Sequence, residues 1–348
     1  MDENSSPDIR KLTALWTGQR SWSWLARLLL GLALLGWLWH SCSYADFARV
    51  FQALQPGPLM LALALSLGGI TFSAVPWQRM LAAFRLQLSW LRLIVLSHFS
   101  FAVNNFVPGG LVGDAMRAWL AGRLVGRYEV QFATVLLDRW LSYLCLFTLA
   151  MVYMVRKWTY LCSLGLTAAL WGVIAVFCAL LILSTVLFVG NLPWSRRLLS
   201  RFAFGLSVAR LSQTMVDYLH LPSVMLQCYV LTLVTPILDA LVFFLISEGL
   251  QLGLPLWVYL LMVPVMRVIH HVPVSVNAVG TQDAACLFYL GAFGIAPAQA
   301  LTVSLAMHAI KLSSAVISGC IYLLGAKKLQ LGINRISASP VARRDKKQ

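Results

Sequence analysis

Acidic residues are scarce in this sequence, and so is charge of any kind. Only 12 of 348 residues are Asp or Glu and 11% are charged, against about 25% in an average soluble domain, which excludes an ordinary water-soluble fold. Paired cysteines are missing too. The seven present (Cys42, Cys145, Cys162, Cys178, Cys228, Cys286, Cys320) stand singly, nearly all in apolar segments, without the C-x-x-C spacing of a metal or redox pair. They read as small helix-packing residues. Catalytic signatures are also absent: there is no H-E-x-x-H, G-x-S-x-G, P-loop or Rossmann fingerprint, and no soluble stretch long enough to fold as a catalytic domain. No enzymatic activity, cofactor or metal is therefore expected.

What the sequence does contain is hydrophobic length, with 60% of residues apolar. A helix needs about 20 apolar residues to cross ~30 Å of hydrocarbon. Segments 22–40, 58–76, 130–153, 165–190, 223–248 and 298–325 meet this requirement. Two pairs do not: 91–106 with 110–125, and 256–270 with 280–293, are short and are joined by "NNFVPGGLVGDAMR" and "HHVPVSVNAVGTQDA". The expected fold is an all-α integral membrane protein of six long transmembrane helices plus two broken re-entrant helical hairpins, about eight hydrophobic segments in all. The first run has basic residues before it and no small-residue cleavage site after it, so it reads as a retained span.

The net charge of +15 suggests nucleic acid until its distribution is considered. With the amino terminus in the cytoplasm, 21 of the 27 basic residues fall inside, Arg117 among them; Arg49, Arg156 and Lys157 fall outside, and Arg139, Arg267 and Lys311 lie in the membrane. This positive-inside bias places both termini in the cytoplasm and needs no nucleic acid partner. It divides the chain into a cytoplasmic segment 1–21, a transmembrane domain 22–325 and a basic tail 326–348. Residues 194–219, with Arg196, Arg197, Arg201 and Arg210 among apolar positions, read as a surface-lying amphipathic helix holding acidic headgroups.

The two joints resemble each other. Each runs from a polar pair through Val-Pro to a glycine and then Asp-Ala, and the topology brings the hairpins in from opposite faces, which points to an inverted repeat with a binding site near the midplane. Breaking a helix inside hydrocarbon frees backbone groups that each cost several kcal/mol unless satisfied, so a retained break should line something. The half-helix amino termini after each joint suit an anion such as a phosphate. Pro108, Gly109, Gly110, Gly113 and Gly280 shape the breaks, and Asn104, Asn105, Ser275, Asn277 and Gln282 supply uncharged hydrogen-bonding groups. Asp114 and Arg117 share a helical face and can pair. Asp114, Thr281 and Asp283 either cap helix starts or face the cavity. Asp138 and Arg139, inside the third long span, are expected to pair with other buried groups such as Arg117 or Asp283 rather than to relay protons. His308 and Lys311, on one face of the last span, join Asp239 and Arg267 as the remaining buried polar groups. Neighbouring His270 and His271 point about 100° apart on a helix, which disfavours a joint metal site. His98 and His220 carry no role in this reading.

"FVPGGLVGDAMRAWLAGR" (106–123), "ATVLLDRWLSYL" (133–144) and "PVSVNAVGTQDAACLFYLGAFGIAPAQALTVSL" (273–305) together resemble the lysylphosphatidylglycerol synthase transmembrane-region, or flippase-like domain, family over roughly residues 20 to 325. The family pattern falls here on Pro108, Gly109, Gly110, Gly113, Asp114 and Arg117, then Asp138 and Arg139, then Pro273, Ser275, Ala278, Gly280, Gln282 and Asp283. Ala278 stands where a glycine is usual, and Gln282-Asp283 where Arg-Glu is usual. The aminoacyl transferase domain of the bacterial multipeptide-resistance members is not found in these 348 residues. The resemblance thus implies a stand-alone flippase-like protein of the bacterial inner membrane, acting on an anionic or phosphate-bearing lipid, with a lipid-pathway enzyme as a possible partner. A membrane-embedded lipid-modifying enzyme and a non-transporting accessory subunit of a lipid or lipid-linked glycan pathway are the alternatives.

Opposed hairpins predict that, in a background without native cysteines, Val125→Cys labels from the cytoplasm and Leu254→Cys from the other side. Labelling of both from one face would end the inverted arrangement.

Overall fold

A computed structural model describes Gly36 and residues 49–107, 112–189, 208–271 and 278–329. The expected first span 22–40 apart from Gly36, the arginines at 196–201, the basic tail beyond 329, and residues 108–111 and 272–277 of the two joints lie outside the described residues. Among the described residues the regular structure is helical, with no strand. The helices are α1 (Pro56–Phe72), α2 (Ala74–Ala83), α3 (Trp90–Phe106), α4 (Val112–Val125), α5 (Tyr128–Arg156), α6 (Trp158–Ser163), α7 (Thr167–Val189), α8 (Val208–Leu219), α9 (Pro222–Gly249), α10 (Leu256–His271), α11 (Thr281–Ala292) and α12 (Pro297–Lys328).

Four stretches among the described residues are long and apolar enough to cross a membrane: Pro56–Ala83, Tyr128–Arg156, Pro222–Gly249 and Pro297–Ala326. Their outward faces carry large apolar side chains, such as Met60, Leu226 and Leu324 at 73%, 64% and 79% exposure, which in water would be a liability and in lipid is the solvated surface. Segment 165–190 forms α7, whose strongly apolar part, Leu170–Leu183, is shorter. The two short pairs form helices close to the expected bounds, as α3 with α4 and α10 with α11.

Prolines set where these helices start and bend. Pro56, Pro222 and Pro297 stand at the first positions of α1, α9 and α12, where a missing N–H costs nothing. Pro76 cannot donate to Phe72, which separates α1 from α2 at Ser73, and the Ser73 hydroxyl donates back to the Ile70 carbonyl at 2.7 Å. Pro236, inside the continuous helix α9, leaves the Thr232 carbonyl without its helical donor. Both prolines border the cavity described below.

Three apolar clusters hold the bundle. The largest joins α5, α7, α9, α10, α11 and α12 through residues such as Phe177, Phe243, Tyr259, Met262 and Leu290. The second packs Trp77, Leu93, Leu96 and Trp119 of α2, α3 and α4 against α12. The third seats α8 on α2, α5 and α9 through Leu211, Met215 and Tyr218, whose hydroxyl donates to the Met80 carbonyl at 2.9 Å. Arg210 of α8 lies 3.2 Å from Glu129, which ties α8 to the first turn of α5.

His98 corrects the sequence reading. It is buried on α3, with Nδ1 2.8 Å from the Ser318 hydroxyl of α12 and Nε2 3.1 Å from the Thr71 hydroxyl of α1, so it ties three helices together. A second tie between α1 and α12, Ser66 Oγ to Ser314 Oγ, is 3.0 Å long.

The arms α3 and α4 touch at backbone distance. The Gly113 N–H donates to Asn104 Oδ1 at 2.8 Å, and a Cβ at 113 would lie 2.2 Å from the Ser100 carbonyl oxygen. Gly113→Ala should therefore lower stability by about 1–3 kcal/mol, the usual cost of overpacking, read as a fall in melting temperature in detergent. Gly291→Ala, with nothing within 4 Å of the added carbon, is the control and should not lower it. Equal behaviour of the two variants would contradict the close approach.

Candidate functional site

Between α1, α3, α4, α5, α9 and α10 lies a cavity of about 190 Å³. Its lining includes Ser100, Asn104, Asp114 and Arg117 from the first hairpin, Asp138 and Arg139 from α5, and Asp239 and Arg267 from α9 and α10. Three carboxylates thus face three guanidinium groups in the interior of an apolar bundle. An unpaired charge there costs at least ~2.5 kcal/mol, so the pairing decides whether the cavity can exist.

Asp114 is the centre of the network. It is the third residue of α4, 2% exposed, and its Oδ1 accepts from the Ser100 hydroxyl at 2.7 Å. Arg139 Nη2 bonds its Oδ2, and Arg117 Nε lies 3.5 Å from its Oδ1. Arg117 Nη2 donates in turn to Asp138 Oδ2 at 3.0 Å, and its guanidinium lies 4.9 Å from the centroid of the Trp77 ring. The chain Arg139–Asp114–Arg117–Asp138 is continuous. Asp114 therefore serves as a bridging carboxylate, and Arg117, counted among the cytoplasmic arginines in the sequence, is instead 4% exposed. Across the cavity Arg267 Nη2 bonds Asp239 Oδ2, linking α10 to α9.

The second joint builds a different cluster. Gly280, at φ 81, opens α11, and Asp283 Oδ2 accepts its N–H at 2.8 Å, so the capping role foreseen for Asp283 is met. Asp283 Oδ1 lies 3.3 Å from His308 Nε2 of α12. Gln282 Oε1 accepts from Lys311 Nζ at 3.0 Å and lies 2.5 Å from His270 Nε2, which is itself 2.7 Å from Lys311 Nζ. Ala278 takes φ 59, a left-handed backbone that costs an L-residue about 1–2 kcal/mol, which gives the physical reason for the glycine usual at that place.

The structure therefore splits what the sequence had joined. Asn104, Asp114, Arg117, Asp138, Arg139, Asp239 and Arg267 line one cavity, whereas Gly280, Gln282, Asp283, His308 and Lys311 do not. Asp239 and Arg267 belong with the cavity rather than with His308 and Lys311, and Asp283 pairs with His308 rather than with α5. Asn105 turns its amide back to the Phe101 carbonyl at 2.8 Å and is not part of the lining. Pro108, Gly109, Gly110, Ser275 and Asn277 lie outside the described residues. The sequence reading missed the hydroxyls of the wall: Ser66, Ser73, Ser97, Ser142, Tyr143, Thr232 and Thr235. Single small hydroxyls in apolar helices form no motif, and only their shared cavity singles them out.

A multi-pass helical membrane protein with a charged cavity between its spans is the class this arrangement defines. Within that class the chain belongs to the lysylphosphatidylglycerol synthase TM region family, whose model matches residues 24–319. No curated protein matches it.

Because Arg117 and Asp138 sit in one bonded network, Arg117→Gln and Asp138→Asn should each lower stability by about 3–5 kcal/mol by stranding a buried charge. The double variant should lose less than the sum, by about 0.5–3 kcal/mol, in urea or thermal unfolding in detergent. Additive losses would mean that the pair is not coupled.

Proposed function

We propose that the protein binds the headgroup of an anionic or phosphate-bearing membrane lipid in this cavity and moves it between leaflets without changing it chemically. Family membership supports a membrane lipid as the ligand. The observation that carries the reading is the set of donors that the cavity-lining residues leave unused: among the described residues, Arg139 Nε, Ser97 Oγ and Thr232 Oγ1 are buried without a hydrogen-bond partner, and Arg117 Nε has only the 3.5 Å ion-pair approach of Asp114. Each such group costs about 1–3 kcal/mol when buried alone, and a phosphate is an acceptor-only group that satisfies several at once. The arginines already have carboxylate partners, so the ligand competes for free N–H edges instead of for bare charges, which favours reversible capture.

The helix order supports passage across the bilayer. A long span, a short hairpin and a long span occur twice, as α1/α2, α3–α4, α5 and as α9, α10–α11, α12. The two half-helices after the joints place an acid at their third position, Asp114 and Asp283, and each acid meets a base 25 positions further on in the following long helix, Arg139 and His308. This equivalence supports an inverted repeat whose halves exchange access, with six spans, two re-entrant hairpins and both termini in the cytoplasm of a bacterial inner membrane.

The test is leaflet-resolved movement of fluorescent phosphatidylglycerol in proteoliposomes, with mass spectrometry of the recovered lipid. Wild-type protein should move the lipid unchanged. The pair Ser97→Ala and Thr232→Val should slow movement about tenfold or more, corresponding to ~1.4 kcal/mol or above, with melting temperature retained. A chemically altered product would favour the embedded enzyme, and no movement with the fold intact would favour the accessory subunit.

A further inference from the structure

The equivalence of the two halves has one chemical asymmetry. The first half closes Asp114 with arginine, which keeps its proton at all accessible pH, whereas the second closes Asp283 with histidine, which does not. Beside it, His270 Nε2 lies within hydrogen-bonding distance of both Lys311 Nζ and Gln282 Oε1. One imidazole nitrogen cannot serve both in a single state: bare, it accepts from the Lys311 ammonium; protonated, it donates to Gln282 and cannot face an ammonium. The cluster therefore has two internally consistent proton arrangements, which differ by one proton on Lys311 and by the tautomer of His270.

The surrounding charges leave room for this. Arg267, one turn before His270, is held by Asp239 of α9, and Tyr143 of α5 lies nearby in the cavity wall. Asp283 and Asp239 are the carboxylates nearest in charge to Lys311, with Arg267 opposing them, and Asp283 Oδ1 lies 3.3 Å from His308 Nε2. Of this pair His308 is the less buried, its side chain 17% exposed against 0% for Asp283. His270 ends α10, Gln282 and Asp283 begin α11, and His308 and Lys311 lie on α12, so the protonation state sets which side of the second break is tied to α12.

We propose that His270, Lys311, His308 and Asp283 form a proton-binding site at the second broken hairpin that couples proton movement to the lipid cycle, the coupling resting on the translocation reading above. In the loaded state Lys311 donates to both His270 and Gln282 and ties α12 across the joint. In the unloaded state Lys311 has passed its proton to His270 Nε2 while the ring gives up its Nδ1 proton to water, so the cluster loses one proton, the neutral imidazole donates to Gln282, and the ammonium tie to α12 is released.

Two measurements test this. Nitrogen-15 NMR of histidine-labelled protein in lipid, assigned with His270→Gln and His308→Gln, should show neutral His270 passing from the Nδ1–H to the Nε2–H tautomer as pH rises from about 5 to about 9. Lys311→Arg, which keeps the charge but cannot release its proton, should abolish that transition, as should Lys311→Met. No transition in the wild type, or its persistence in both variants, overturns the site. In proteoliposomes an imposed pH gradient should change the rate of phosphatidylglycerol movement, by about tenfold per pH unit on the limiting limb, and Lys311→Arg should remove that dependence. Movement that ignores the gradient in the wild type overturns the coupling. Absence of any movement together with an intact NMR transition overturns the translocation reading and the coupling while leaving the proton site standing.

Discussion

The carboxylate of Asp114, shared between Arg139 and Arg117 in the interior of the bundle, is the interaction on which the rest depends. A lone Asp at that depth would be intolerable, and either arginine without it would be stranded at several kcal/mol. With all the partners present, the network draws the first half-helix onto α5 and leaves a polar cavity where hydrocarbon packing would otherwise close. The Ser100 hydroxyl and the Gly113 contact serve the same end, since Asp114 reaches its partners only because the two arms of the hairpin touch at backbone distance.

This constraint explains the backbone irregularities as a group. Pro76 and Pro236 bend the helices that border the cavity, and the first joint interrupts a third. An interrupted helix leaves polar groups that must find partners away from lipid, and both prolines lie beside the same space. Trp77, beneath Arg117, completes the enclosure by offering its ring face to a cation that has no water on that side.

The half-helix after the second joint carries different chemistry. Its acid sits at the same helical position and meets its base at the same separation, but the base is titratable and the space around it is filled by Gln282, His270 and Lys311 rather than left open. Gln282, placed where the family resemblance has an arginine, is bonded by the ammonium of Lys311 from α12, so a cation returns to the locality from another helix.

The sequence by itself determined the class and the helices. Apolar runs of membrane length, the short pairs and their Gly/Pro joints are local properties of composition and spacing, and the Asp114–Arg117 contact follows from three residues on one helical face. The Asp–Arg dipeptide in α5 announced buried partners for the same reason, because a charge at that depth must have one. Tertiary structure alone decided which partners: Arg117 for Asp138, Arg139 for Asp114, Asp239 for Arg267, and His308 for Asp283. It also separated the two halves into an open cavity and a closed cluster, enlisted His98 as a three-helix tie, and gathered isolated hydroxyls into a wall. These outcomes depend on how helices far apart in the chain are rotated against one another, and the periodicity of a single helix carries no information about that rotation.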